Sequence, residues 1–226
     1  MTQPEHSPRV LLFDVNETLL DTAALKQKIG DILLDARAGS LWFTTMLHYS
    51  LVMTVAQRHA ALPEIGAATL QMLARNADIE LGPEDAKAAL SVMRSLPAHP
   101  DVKPGLRRLK EAGFRLATLT NSSQAGVAAQ IQHAGLSGFF ERQLSVEPTG
   151  KFKPHQAVYE WAAREMRVEA GQCMLVAAHG WDIAGAKWAG LQAAFIAREG
   201  QQKFPLAPPP DLDASDLSAL AAQLCG

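Results

Sequence analysis

Four clusters of polar residues stand where chemistry is possible. "FDVNETLL" carries Asp14, Val15, Asn16, Glu17 and Thr18 behind a short apolar run, and "LTNSS" carries Thr120, Asn121, Ser122 and Ser123. Lys153 precedes "PHQAVYEW", and "AAHGWD" carries His179, Trp181 and Asp182. Carboxylates, hydroxyls, an amide and an ammonium are the groups with which a pocket binds a small polar ligand and acts on it. Taken singly, each has a bland explanation. Asp14 can cap the turn that follows it. Asn121 to Ser123 can start a helix, Asp182 suits a first helical turn, and Lys153 can be a solvated charge. Their joint position, just past separate strands or at loops, is what points to a site.

The elements that must position them follow from hydrophobic pattern. Val10–Phe13 is a continuous apolar run, as expected of a strand buried on both faces of a parallel sheet. From about Thr22 to Pro97 apolar residues recur at spacings of three and four, which predicts helices, with Gly82-Pro83 as a break and Glu84 and Asp85 in the next first turn. His99–Gly105 is a linker-like return, with Pro104 near the start of another helix. The texture then changes. A helix ends near Gly113, and strands are predicted over Arg115–Thr120, Cys173–Ala178 and Leu191–Ala197, with helices between them. "FPLAPPPDLDAS" reads as a Pro-rich surface segment before a short final helix. This alternation predicts a doubly wound parallel α/β sheet, Rossmann-like, with an inserted α-helical cap. The expected division is a core of residues 1–21 and 98–226 and a cap of residues 22–97. Ligands of such sheets bind beyond the carboxyl ends of the strands, which brings the four clusters to one edge.

Composition bounds the function. The chain has 226 residues, 48% of them hydrophobic and 19% charged, with a net charge of −2. That suits one globular unit with an insert and argues against general disorder. No basic stripe marks a nucleic-acid surface, so no nucleic-acid partner is expected. Two cysteines, Cys173 and Cys225, are too few for a disulfide framework and suit a reducing cytosol, so a cytoplasmic location is expected. "MTQPEHSP" lacks the basic and apolar regions of a signal peptide. The apolar stretch Leu41–Ala56 is broken by Thr44, Thr45, His48, Tyr49 and Ser50 and falls short of the roughly 20 residues a membrane span needs. It is expected to be a buried helix, not a membrane contact.

"FDVNETL", "LTNSS", "KPHQAVY" and "VAAHGWDIAGAKWAG" occur in an order and spacing that resembles the haloacid dehalogenase superfamily, nearest to its L-2-haloacid dehalogenase (type II) branch. The resemblance covers nearly the whole chain. It implies that Asp14 is a nucleophile, because a carboxylate can attack carbon or phosphorus and leave an ester or acyl phosphate for water to hydrolyse. It implies that Thr18 hydrogen-bonds near Asp14, and that Thr120 and Asn121 bind the anionic group of a small substrate at a helix N-terminus. Lys153 would keep Asp14 ionised, and Asp182 would orient Lys153 or the hydrolytic water. Tyr159, six residues beyond Lys153, belongs to the same pattern, and Val15 and Asn16 are expected beside the substrate. His179 occupies the place of an asparagine that helps position that water, and could itself act as a base. Trp181 would form a pocket wall.

Two positions choose between branches. Phosphatases of the superfamily carry a second aspartate two residues after the nucleophile as general acid/base. Asn16 cannot serve so, whereas a departing halide needs no proton. Metal-dependent members carry an acidic residue where this chain has Ala178, and a hard cation wants several oxygen ligands. No metal is therefore expected to be required, and Mg²⁺ only if a phosphatase reading holds. The chain also departs from the type II pattern. Leu41-Trp42-Phe43 replaces a Leu-Trp-Arg segment whose arginine cradles halide, and Arg37 lies one helical turn before Leu41. A serine of the fourth motif is also missing near Ala177 and Ala178. Trp42, Phe43, Met46, Tyr49 and Met53 form cap core, a homodimer contact or part of a hydrophobic pocket. The expected activity is metal-independent hydrolytic dehalogenation of a small 2-haloacid. The alternatives are a phosphomonoester phosphatase and a weak or inactive relative that binds a small anion.

Overall fold

A computed structural model describes residues 8–226. The reading of the N-terminal segment as lacking a signal peptide rests largely on residues 1–7 and lies outside them. The first strand, β1 (Val10–Phe13), is buried along its whole length. A helical block follows: α1 (Ala23–Ile32), α2 (Ala38–Val55), α3 (Leu62–Asn76), α4 (Pro83–Ala89) and a 3₁₀ segment, Leu90–Ser95. Gly82 and Pro83 open α4 as expected, with Pro83 at a position where its missing N–H costs no hydrogen bond. The chain then alternates through α5 (Val102–Glu111), β2 (Arg115–Thr120), α6 (Gln124–His133), β3 (Arg142–Ser145), α7 (Gln156–Glu165), β4 (Cys173–Ala177), α8 (Gly180–Trp188), β5 (Gln192–Ile196), β6 (Leu212–Ala214) and α9 (Leu217–Cys225).

Among the described residues six strands form one sheet in the order β3-β2-β1-β4-β5-β6, and every pairing is parallel. The doubly wound α/β expectation therefore holds. Chain order reverses between β1 and its neighbours β2 and β4, which opens a crevice at their carboxyl ends. Two strands were missed by pattern. β3 is only four residues long and begins with the exposed Arg142. β6 lies within the segment read as Pro-rich surface, and it adds to the sheet edge through Ala194, Phe195 and Ile196. Neither is long or apolar enough to show alternation. The last helix is also more firmly held than a chain end suggests, because Asp216 caps it through the Ala219 N–H and the Asp101 carboxylate accepts from the Leu217 N–H.

The helical block sits over the crevice because α2 is apolar around much of its circumference. Trp42 and Met46 are fully buried, and the Trp42 Nε1–H donates to the Gly66 carbonyl of α3 at 2.9 Å. Fixing Trp42 inward turns the next residue, Phe43, toward the sheet edge. Among the described residues no helix is long and apolar enough to cross a membrane.

Candidate active site

The first turn after β1 delivers Asp14, a buried residue that is 5% exposed. Its backbone N–H still pairs with the Val176 carbonyl of β4, so the carboxylate leaves the sheet in a fixed direction. Thr18 closes the same turn. Its hydroxyl donates to Asp14 Oδ2 at 2.7 Å and accepts from the Ala178 N–H at 3.0 Å. Lys153, from the loop before α7, lies with Nζ 2.9 Å from Asp14 Oδ1 and 2.5 Å from Asp182 Oδ2. The Tyr159 hydroxyl donates to Asp182 Oδ1 at 2.6 Å. Gly185 permits that arrangement, since a Cβ there would stand 2.5 Å from Pro154 and 2.6 Å from the Tyr159 oxygen.

Charge is sorted within this buried set. Burial alone would raise the pKa of Asp14, but the Lys153 charge and the His179 hydrogen bond and charge hold it well below the carboxylate range. Burial would also lower the Lys153 pKa, and the charges of Asp14 and Asp182 reverse that and raise it. Asp182 goes the other way. Its burial and the Asp14 charge outweigh Lys153 and raise its pKa. Burial and the Asp182 charge push Tyr159 well above its ordinary value, so the phenol stays neutral and donates.

His179 lies at the centre of a second set. Its Nδ1 is 3.1 Å from Asp14 Oδ2 and its Nε2 is 2.7 Å from Glu17 Oε2. Phe43 stacks on one side at 6.0 Å and 18°, and Trp181 stacks at 5.1 Å and 25°. Burial would lower the His179 pKa, but hydrogen bonds to two carboxylates and their charges raise it to about 9. At neutral pH the ring is an imidazolium that donates from both nitrogens. Glu17 is held at about 2, burial being outweighed by His179 and Lys26. It also accepts from Thr22 Oγ1 at 3.2 Å and Gln201 Nε2 at 3.0 Å, and pairs with Lys26.

The remaining expected residues divide. Asn121 Oδ1 accepts from the Lys153 N–H at 2.9 Å, while its buried Nδ2 has no partner among the described residues, which makes it an available donor. Thr120 Oγ1 accepts from the Ser122 N–H at 3.1 Å and so shapes the turn. Asn16, expected beside the substrate, lies in the turn after β1 two residues from Asp14, with both ends of its amide engaged by protein groups. Its amide donates to Ser122 Oγ at 3.3 Å and accepts from Gln130 Nε2 at 2.9 Å, and the same Gln130 nitrogen donates to the Met93 carbonyl of the helical block. Val15 is fully buried, and its carbonyl accepts from Leu19 and Leu20. Tyr159 is likewise fully buried and spends its hydroxyl on Asp182. Arg37 does not reach the site. Its side chain is 93% exposed and its guanidinium faces Asp35.

A cleft of about 350 Å³ opens between α2 and the sheet edge, with Phe43, Leu47 and Leu51 on one side and Lys153, His179 and Trp181 on the other. Asp14 lies behind His179 and Lys153. Among the described residues no cluster of three or more His, Cys, Asp or Glu side chains is arranged to hold a metal ion. Glu17 and Gln201 were not assigned a role from sequence. Glu17 was visible only as an acidic residue in the turn after β1, and nothing local marks its pairing with a residue 162 positions away.

A sequence profile described as haloacid dehalogenase-like hydrolase matches residues 8–190. The chain is 26% identical over 212 residues to an (S)-2-haloacid dehalogenase of Pseudomonas sp. (strain YL), covering 93% of this chain and 91% of that protein. It is 26% identical over 180 residues to haloacetate dehalogenase H-2 of Moraxella sp. (strain B), covering 80% of each. Among solved structures, an L-2-haloacid dehalogenase aligns with TM-score 0.90 and 26% identity, covering 97% of this chain and 100% of that one. The L-2-haloacid dehalogenase of Xanthobacter autotrophicus shares the fold at TM-score 0.89 and 21% identity, covering 97% and 99% of the two chains.

Proposed function

Because the chain belongs to the haloacid dehalogenase-like hydrolase family over residues 8–190, we propose that it hydrolyses the carbon–halogen bond of a small 2-haloacid through an ester on Asp14. The observation that carries this reading is the Asp14 carboxylate itself, buried, ionised and held by Lys153 at 2.9 Å. Oδ2 already accepts from Thr18 and His179, whereas among the described residues Oδ1 accepts from Lys153 alone. Oδ1 therefore keeps a lone pair for attack on the carbon that bears halogen. The halide leaves as an anion, so no general acid is needed, and Asn16 with both ends of its amide engaged offers none.

The Asn121 Nδ2–H and the N-terminus of α6 supply donors for the substrate carboxylate. Phe43 and Trp181 line the cleft with rings, and the helical block acts as the cap that excludes water. The residues do not fit a divalent cation at Asp14, because two cations, Lys153 and His179, already occupy its two oxygens. No step is routed through a metal. The exposed Leu41, Leu51, Val52 and Val55 of α2 offer an apolar surface for a second copy. A cytoplasmic location belongs to the same reading, since the free Cys173 and Cys225 need no oxidising compartment.

The test is halide release from chloro-, bromo- and fluoroacetate and 2-halopropionate in EDTA, with Asp14→Asn as the control. Release by the wild type and none by Asp14→Asn is expected. Mg²⁺-dependent release of phosphate from phosphomonoesters, with no halide from any acid in the panel, would overturn the reading.

A further inference from the structure

Another cleft of about 350 Å³ opens between the helical block and the start of α6, and it shares no lining residue with the cleft of Phe43 and Trp181. Its size is at the lower end for small-molecule sites. Leu90, Met93 and Arg94 line it from the 3₁₀ segment, and Ser122, Ser123 and Gln130 line it from the core. Gln130 is 2% exposed. Its Nε2 donates to Asn16 Oδ1 and to the Met93 carbonyl, both at 2.9 Å. Met93 offers only an acceptor there, so the amide cannot be turned end for end without losing that bond. Oε1 is then left buried with no partner among the described residues. A buried carbonyl oxygen without a donor is costly, so this atom marks where a ligand's donor belongs.

The groups around that acceptor are donors. Ser122 Oγ accepts from Asn16 Nδ2 at 3.3 Å, and Ser123 Oγ accepts from the Gly126 N–H at 3.1 Å. Among the described residues neither hydroxyl donates, so both protons are free for a ligand. Arg94 follows Met93 in the chain, is exposed, and makes no ion pair among the described residues. Lys87 stands at the same rim but is paired with Glu84 at 3.0 Å. The N-terminus of α6 adds positive potential. Glu64 is the one carboxylate that lines the cleft, and it accepts from the Ala61 N–H at 3.1 Å. The set offers a guanidinium and two hydroxyls to a carboxylate, and one carbonyl oxygen to a hydroxyl.

We propose that this cleft is a second ligand site, selective for a small 2-hydroxyacid, through which the product of the reaction slows its own formation. The proposal takes the identity of the product from the haloacid reading above. The carboxylate is bound by Arg94 and the Ser122 and Ser123 hydroxyls, and the 2-hydroxyl donates to Gln130 Oε1. A 2-haloacid has no proton to give and leaves that oxygen unpaired, so the site discriminates against substrate. A 2-amino acid has the donor but brings a further cation against Arg94, Lys87 and the helix N-terminus. A bound hydroxyacid bridges Arg94 of the helical block to Ser122, Ser123 and Gln130 of the core. It thereby holds the block down over the other cleft and slows the exchange of substrate and product there. The same ligand engages Ser122 and Gln130, the two residues that hold Asn16, which lies two residues after Asp14.

The experiment follows the Gln130 side-chain amide by NMR, assigned with Gln130→Met, as lactate, propionate or alanine is added to the wild type. Lactate is expected to shift it saturably, and propionate, which lacks the hydroxyl, to bind roughly tenfold more weakly. Alanine is expected to bind more weakly than lactate. Arg94→Gln, a change at the exposed rim, is expected to weaken lactate about tenfold at the Gln130 signal. It should leave kcat/KM for 2-chloropropionate unchanged when no lactate is present. In steady state, lactate is expected to lower the apparent kcat of the wild type and only to raise the apparent KM of Arg94→Gln. No saturable shift of Gln130, equal affinity for lactate and propionate, tighter binding of alanine, or unchanged lactate affinity in Arg94→Gln would each overturn the site. Inhibition of the wild type that raises KM alone would overturn the feedback. No halide from the wild type would instead overturn the haloacid reading and the feedback, while the binding arm still decides the site.

Discussion

The ring of Phe43, carried by α2, stacks on the imidazole of His179, carried at the end of β4, with centroids 6.0 Å apart and planes 18° from parallel. This contact joins the helical block to the polar centre. It also places an aromatic ring, not a guanidinium, over a cation. Lys26 Nζ approaches the same ring at 5.9 Å, so Phe43 lies between two positive charges. A cation at this position would repel both. The aromatic ring is thus compatible with the charge that His179 brings.

Replacing Phe43 by Leu keeps apolar volume and removes the stacked ring. The lost aromatic interaction is worth about 1 kcal/mol, and KM for a haloacid is expected to rise about fivefold with little change in Tm. Phe43→Arg is expected to lower Tm and raise KM further. Steady-state halide release with thermal denaturation checks both. A gain in catalytic efficiency for Phe43→Arg would contradict the charge argument.

Lys153 Nζ is the shared cation of Asp14 and Asp182, and all three are buried. Lys153→Met leaves two carboxyl groups facing each other without it. Breaking such a buried pair costs about 3–5 kcal/mol, and halide release is expected to fall by about 100-fold or more. An unchanged Tm would show that the bridge contributes little to the fold.

Stability should depend on pH through His179 and Glu17. The folded His179 pKa of about 9 stands above its ordinary 6.5, so its contribution is complete below pH 6.5 and is lost as pH rises through 9. Glu17 is lowered from 4.5 to about 2, so its contribution is complete above pH 4.5 and is lost as pH falls through 2. The plateau for this pair lies between pH 4.5 and 6.5. Between pH 6.5 and 9 the loss is on the order of 3 kcal/mol, and His179→Gln is expected to flatten that slope. Urea denaturation at a series of pH values measures it. Parallel wild-type and variant curves would contradict the assignment.

Gly185 lets Tyr159 and Pro154 approach α8. The Cβ of Gly185→Ala would meet both within 2.6 Å, so Tyr159 must move off Asp182. Overpacking of this kind costs about 1–3 kcal/mol. A lower Tm and slower halide release are expected, and adding Tyr159→Phe should cost less in the Gly185→Ala background than alone. Full additivity of the two changes would contradict the link.

The sequence by itself determined the strand ends. Val10–Phe13 and Arg115–Thr120 were legible to the residue, because strands buried on both faces are written as continuous apolar runs. Parallel strands all end at one edge, so strand ends and loops in the sequence are enough to gather Asp14, Asn121, Lys153 and Asp182. The helical block between β1 and α5 was legible from its spacing. Short edge strands were not, because the four residues of β3, with Leu144 as their one apolar side chain, and the three residues of β6 carry no period. The tertiary structure alone decided what each polar group touches. Asn16 lies 114 residues from Gln130, Glu17 lies 162 from His179, and Phe43 comes from a different layer than the ring it covers. Such pairings depend on the packing of α2 and on the side-chain directions it allows, and a charge state such as the His179 imidazolium follows from burial and neighbours together. Residue types and strand ends could therefore be read from the chain, while the partners of Glu17, His179 and Phe43 required distances.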